Sequence, residues 1–113
     1  MALALNVFKT IAETVPDLET EIYTAPVGYT GVVLLAQATN IVTQTETINL
    51  KYRRTISGND IDTEMLKDYP IPESDTLNLL TGKLVIESGN KLVINASASS
   101  SLKIVISILE TLN

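Results

Sequence analysis

The sequence predicts an all-β fold: an antiparallel two-sheet β-sandwich of about eight to nine short strands, jelly-roll-like or Ig-like, in a single domain over residues 1–113. Three observations predict it. Apolar and polar residues alternate with period 2 through most of the chain, as in strands with one buried face. Turn signals built from Gly, Pro, Asn and Ser recur about every 8 to 12 residues. Apolar residues make up 45% of the chain but aromatics only 4%, so Leu, Ile, Val and Ala must fill the core, which suits thin sheet-on-sheet packing.

The alternation is clearest in the last third, where Leu84, Ile86, Leu92, Ile94, Ala96, Ala98, Leu102, Ile104, Ile106 and Ile108 all hold even positions. This spacing predicts three consecutive antiparallel strands in one sheet, joined by Glu87-Ser88-Gly89 and Ser99-Ser100-Ser101. Gly89 takes φ > 0 in the first loop, which sets Leu84 opposite Leu92. The second loop sets Ala98 opposite Leu102 and Ile94 opposite Ile106.

Earlier elements follow in order. Leu3, Leu5, Val7 and Ile11 mark a first, edge strand, and Val15-Pro16-Asp17 a turn, since proline fixes φ and drives Val15 toward extension. Glu19–Ala25 reads as a short strand. After Pro26-Val27-Gly28 comes a strand over Thr30–Asn40, with Val32, Leu34, Ala36 and Ala38 on one face and Val33 and Leu35 on the other. Past the polar Thr43-Gln44-Thr45 loop, Ile48, Leu50 and Tyr52 alternate inward. Gly58-Asn59 predicts a two-residue hairpin turn that sets Ile56 opposite Ile61, Tyr52 opposite Met65 and Arg53 opposite Glu64. Residues Asp62–Asp68 have room for a turn or two of helix. Asp68–Asp75, with Pro70 and Pro72, predicts a crossing between sheets rather than a central strand, and Thr76–Leu80 a further short strand.

Composition narrows the function. A net charge of −5 with eight dispersed Lys and Arg offers no basic stripe for phosphate, so neither nucleic acid nor an anionic membrane is an expected partner. No Cys and no His remove thiolate and imidazole chemistry. Met1-Ala2-Leu3-Ala4-Leu5 lacks a basic flank and stops at Asn6, so the expectation is a chain folded in the cytoplasm of its maker.

Each candidate for chemistry has a plainer reading. Asp60, Asp62 and Glu64 alternate and would put three carboxylates on one side of a strand for a hard cation, but Lys51 and Arg53 across the hairpin are ready counter-charges. Carboxylate pairs for glycosidase-type catalysis lack an aromatic platform. Ser99-Ser100-Ser101 have no activating base and read as a polar turn. Tyr23, Tyr29, Tyr52 and Tyr69 point either to sugar stacking, as in a glycan- or receptor-binding module, or to core and interface packing. We therefore expect no enzyme activity, no catalytic residue, no cofactor and no metal site. The surface that calls for explanation is the odd-numbered face of the last third, where Val85, Val93, Val105 and Leu109 stand among Lys83, Lys91, Asn95 and Ser107. That face needs cover, from the amino-terminal strand or from another subunit. With Tyr23 and Tyr29, those four apolar residues form the expected interface.

Three segments carry a resemblance. Glu21-Ile22-Tyr23-Thr24-Ala25-Pro26-Val27-Gly28-Tyr29-Thr30-Gly31-Val32-Val33-Leu34, then Leu80 through Leu92 (LTGKLVIESGNKL), then Leu102 through Glu110 (LKIVISILE) are similar to small virion structural proteins of tailed bacteriophages, notably those infecting marine cyanobacteria. The likeness spans roughly residues 20 to 112; Asn90 stands where such proteins often carry Asp, and Gly58–Asp75 departs most from the pattern. It implies a non-enzymatic component of a phage particle, in head, neck or tail. Such a decoration or accessory subunit would bind itself, as a homo-oligomer, and a neighbouring virion protein.

Overall fold

The chain doubles back on itself at Ser57-Gly58, whose φ angles of 53° and 80° form the two-residue, left-handed loop that matches the twist of paired strands. The hairpin joins β4 (Glu46–Ile56) to β5 (Asn59–Ile71). It lies one residue earlier than the Gly58-Asn59 turn expected from sequence, so Arg53 faces Asp62 and not Glu64, and Tyr52 faces Thr63 and not Met65. Side-chain chemistry favours this register. The Arg53 guanidinium forks onto Asp62, Nε to Oδ1 at 2.7 Å and Nη2 to Oδ2 at 2.9 Å, and the Thr55 hydroxyl donates to Asp60 at 2.8 Å. Asp62–Asp68 is strand throughout, with no helical turn.

All other strands pair around that turn. In this computed structural model, which describes residues 5–113, β3 (Tyr29–Asn40) pairs with β6 (Thr76–Asn78) and β7 (Leu84–Ile86), β2 (Thr20–Thr24) with β8 (Lys91–Ala96), and β1 (Asn6–Thr14) with β9 (Leu102–Leu112). Glu46 with Ile71, Gly31 with Ile86, Glu21 with Val93 and Thr14 with Lys103 are all centred close to Ser57-Gly58. The doubled ribbon then wraps so that β9 also pairs β3 and β8 also pairs β4. Sheet A has the order β1-β9-β3, with β6 and β7 both along the far edge of β3, and sheet B the order β2-β8-β4-β5. This antiparallel sandwich is a jelly roll; the Ig-like alternative is set aside.

The expected three-stranded meander at the carboxyl end is not formed. β7 and β9 lie in sheet A and β8 in sheet B, so Leu84 pairs with Val33, Leu92 lies between Tyr23 and Tyr52, and Ile106 lies between Ile11 and Ala36. Alternation says which side chains point inward, but the inner faces of two facing sheets have the same alternation. Gly89 does take φ 84°, with the Asn90 N–H donating to the Glu87 carbonyl at 2.9 Å, although the turn carries the chain from one sheet to the other. Nothing lies within 4 Å of a Cβ built on Gly89, so Gly89→Val should lose stability through backbone strain alone, about 1 to 2 kcal/mol in urea denaturation. An unchanged midpoint would contradict this reading of the turn.

In β3 a bulge separates Val33, paired to Ile108, from Leu35, paired to Ser107. Leu34 is the extra residue, and it reverses the alternation. Val33 therefore joins Ala36 and Ala38 in the core, while Val32, Leu34 and Leu35 are left outside it. The core fills from both sheets, with Ile48, Leu50, Leu92 and Ile94 from sheet B meeting Ile86, Leu102, Ile104, Ile106 and Ile108 from sheet A. Pro70 sits within β5, the edge of sheet B, where it removes no ladder bond from a neighbour, and the crossing to sheet A is Pro72–Asp75. Val7 and Ile11 of edge strand β1 are half-buried as the alternation requires; Leu5 is exposed, and Leu3 lies outside the described residues.

Candidate interface

The two outer faces of the sandwich differ in kind. On sheet B, Lys51 of β4 reaches Glu19, just before β2, at 2.8 Å, and Arg53 binds Glu21 of β2 at 3.3 Å as well as Asp62 of β5. Because β8 lies between β2 and β4, the Lys51–Glu19 and Arg53–Glu21 pairs span it. Val93, in register with Glu21 on one side and Lys51 on the other, is 1% exposed, beneath the stems of long charged side chains. Val93 thus neither shares a face with Val85, Val105 and Leu109 nor offers a contact surface. The expectation failed because it placed β8 in the same sheet as β7 and β9.

Of the carboxylates considered for a cation, one is taken up by these ion pairs and the others have neighbours across the hairpin. Asp62 and Asp60 accept from Arg53 and Thr55, and Glu64 lies opposite Lys51. The hydrogen-bonded Arg53 holds the Asp62 carboxyl below its ordinary value of 3.8. A depressed pKa stabilises the fold above that ordinary value, and the contribution disappears as pH falls through the folded-state pKa. Arg53→Met should therefore flatten the loss of stability on acidification from about pH 4 downward, read from thermal melts. An equally steep decline would show that the pair contributes nothing.

On the outside of sheet A the register lines up one apolar row across four strands. Phe8 of β1 pairs with Leu109 of β9, Leu109 with Val32 of β3, and Val32 with Val85 of β7. Phe8 is 76% and Val85 53% exposed, while Val32 and Leu109 are half-buried. Leu35 beside Ser107, and Val105 between Ala12 and Gln37, continue the surface. Its remaining positions on β1, β9 and β3 are mostly Thr, and among these described residues Lys103 carries the one formal charge. Strand β1 extends the sheet edgewise and does not fold over it, so the cover expected from the amino-terminal strand is not supplied by the described residues. The structure thus brings together Val85, Val105 and Leu109 and adds Phe8, Val32 and Leu35, which the sequence reading missed. Parity flags Phe8 only once β1 is known to pair β9, and the bulge at Leu34 conceals Leu35.

The tyrosines do not gather on a concave surface. Tyr23 is buried, its hydroxyl donating to Glu110 across the core at 2.7 Å, and burial followed by the Glu110 carboxylate pushes its pKa well up. Lys9 holds the same Glu110 oxygen at 3.3 Å. Tyr29, in register with Leu112, is half-buried at one end of sheet A. The Tyr52 hydroxyl accepts from the Glu87 N–H and the Asn90 amide. Tyr69, on β5, is the most exposed of the four, at 44%. Hollows of about 330 Å³ and 250 Å³ are lined by Ala12–Thr14 with Lys103–Val105, and by Leu34–Ala36 with Asn78 and Leu80–Lys83, without a tyrosine. Ser101 is buried, donating to the Ala98 carbonyl at 2.6 Å, so the triple serine forms a turn. Two buried carboxylates were not expected. Glu46 accepts from Ser97 at 3.3 Å near the start of β9, whereas Glu110 sits near its end. Strand rise puts them on the order of 25 Å apart, too far for paired acid and base work.

No protein-family model matches the sequence, and no curated protein matches it. One similar solved structure is that of the infectious bursal disease virus VP2 subviral particle, with 11% identity and a TM-score of 0.46 over 96% of this chain and 33% of that one. This chain spans a third of that protein's length, and so loose a likeness decides nothing about its role.

Proposed function

We propose that the protein is a non-enzymatic virion structural subunit, a decoration or accessory component of the head, neck or tail of a tailed phage, which acts by binding copies of itself and a neighbouring virion protein. The observation that carries the reading is the inequality of the two outer faces. Sheet B is finished as a solvent surface by two ion pairs over β8 and a third from β4 to β5, whereas sheet A presents an apolar row from Phe8 to Val85 with almost no charge. A monomer surface rarely leaves such a patch without a partner. The phage setting rests on the resemblance of Glu21–Leu34, Leu80–Leu92 and Leu102–Glu110, and jelly rolls serve in capsids by analogy of fold alone. Glycan binding loses support because Tyr23 and Tyr52 face inward and line neither of the two hollows described. An electron-microscopy map of the intact particle tests the proposal. Density for the jelly roll with sheet A against another protein is the expected result, and absence of the chain from the particle would refute it.

A further inference from the structure

We infer that the outer face of sheet A binds the same face of a second copy, giving a two-fold dimer as the unit that is built into larger assemblies. This rests on the assembly reading above and names the first partner of that surface. Charge is the first argument. A chain of net charge −5 meets its own copy at a disadvantage wherever carboxylates converge, and the sheet B face, with Glu19, Glu21, Asp62 and Glu64, would bring them together. Sheet A carries less charge: among the described residues of β1, β9 and β3 on its face, Lys103, near Thr14, is the one formal charge, and Lys83 stands beside Leu34 and Leu35 just before β7. Two such faces, with their few lysines toward the ends of the strands, can close with little repulsion and without burying a carboxylate row.

Area is the second argument. Strands about 4.8 Å apart whose residues rise about 3.3 Å, three of them about nine residues long and the fourth place shared by the short β6 and β7, give a footprint on the order of 520 Å² per copy. The pair buries on the order of 1,000 Å², which reaches the size needed by a specific interface. Shape is the third. The row Phe8, Leu109, Val32 and Val85 crosses the strands, so two sheets packed with their strands nearly aligned set one such row alongside its symmetry mate, with Leu35 and Val105 filling the adjoining row. An isologous contact needs this self-complementarity, in which one patch serves both partners.

Sedimentation equilibrium of the purified full chain over a concentration series tests the inference. The expected result is a reversible dimer whose dissociation constant rises at least about tenfold in Val105→Glu and in Val85→Glu, with circular dichroism unchanged. Ile61→Glu, at an exposed position of the β4–β5 hairpin, should dimerise like the parent. Val85 is the more exposed of the two sites, so Val85→Glu keeps the test valid if Val105→Glu fails to fold. A parent chain that stays monomeric, or a dimer that survives both substitutions, overturns the inference. A monomeric parent whose attachment to the particle is nevertheless lost in Val85→Glu overturns it too, while leaving the assembly role standing with another protein on this face.

Discussion

Ile104→Glu should unfold the subunit, while Val105→Glu, one residue along the same strand, should leave it folded. Ile104 is 1% exposed, in register with Ala38 and Glu13, and its side chain lies in the core between the sheets. A carboxylate there has no cation to meet and must be desolvated or protonated, which costs about 4 kcal/mol or more. At the low end of the roughly 5 to 15 kcal/mol by which a domain of this size is stable, that is most of the total. Val105 points the other way, so its substitution should change the urea midpoint by less than about 1 kcal/mol equivalent. Comparable unfolding by both variants would mean that β9 is not oriented as described.

The second large effect is expected at Gly31. A Cβ built there would lie 2.5 Å from the Tyr23 hydroxyl oxygen and 2.9 Å from the ring carbon Cε2, closer than packed atoms approach. The ring has to move, and with it goes the hydrogen bond to Glu110, leaving the buried carboxylate its ion pair with Lys9. Gly31→Ala should cost about 2 to 4 kcal/mol through overpacking and the lost bond together. Tyr23→Phe alone should cost about 1 to 3 kcal/mol, since Glu110 loses its donor. Because phenylalanine lacks the atom that Gly31→Ala strikes first, the double variant should lose clearly less than the sum of the two. Strict additivity in the denaturation cycle would show that the glycine is not there to admit the tyrosine.

These two sites also show how far the sequence could be read. Even-numbered Ile104, Ile106 and Ile108 announce an inward face, and they are buried. What alternation could not supply was the partner of each strand, because the inner faces of both sheets carry the same period. Hairpin logic joined β7, β8 and β9, since neighbouring strands usually pair, and so placed Val93 with Val85 and Val105. The jelly roll instead pairs strands around Ser57-Gly58, a relation between residues such as Phe8 and Leu109 that are far apart in the chain. Local exceptions hid the rest. The bulge at Leu34 reverses the parity of β3, and the hairpin register follows from the Arg53–Asp62 fork, which turn chemistry alone does not fix. Glu110 reads as a polar residue ending an apolar strand, and only the approach of Tyr23 from the opposite sheet gives it a partner in the core.

Competition for the particle tests most directly the claim that sheet A meets protein. On the proposed phage role, particles would be assembled in cells making equal amounts of the parent chain and Val105→Glu, and the two would be quantified by mass spectrometry in the purified particles. The account predicts that the folded Val105→Glu chain is depleted by about tenfold or more relative to the parent, while Ile61→Glu on the hairpin is incorporated equally. Equal incorporation of Val105→Glu would contradict it.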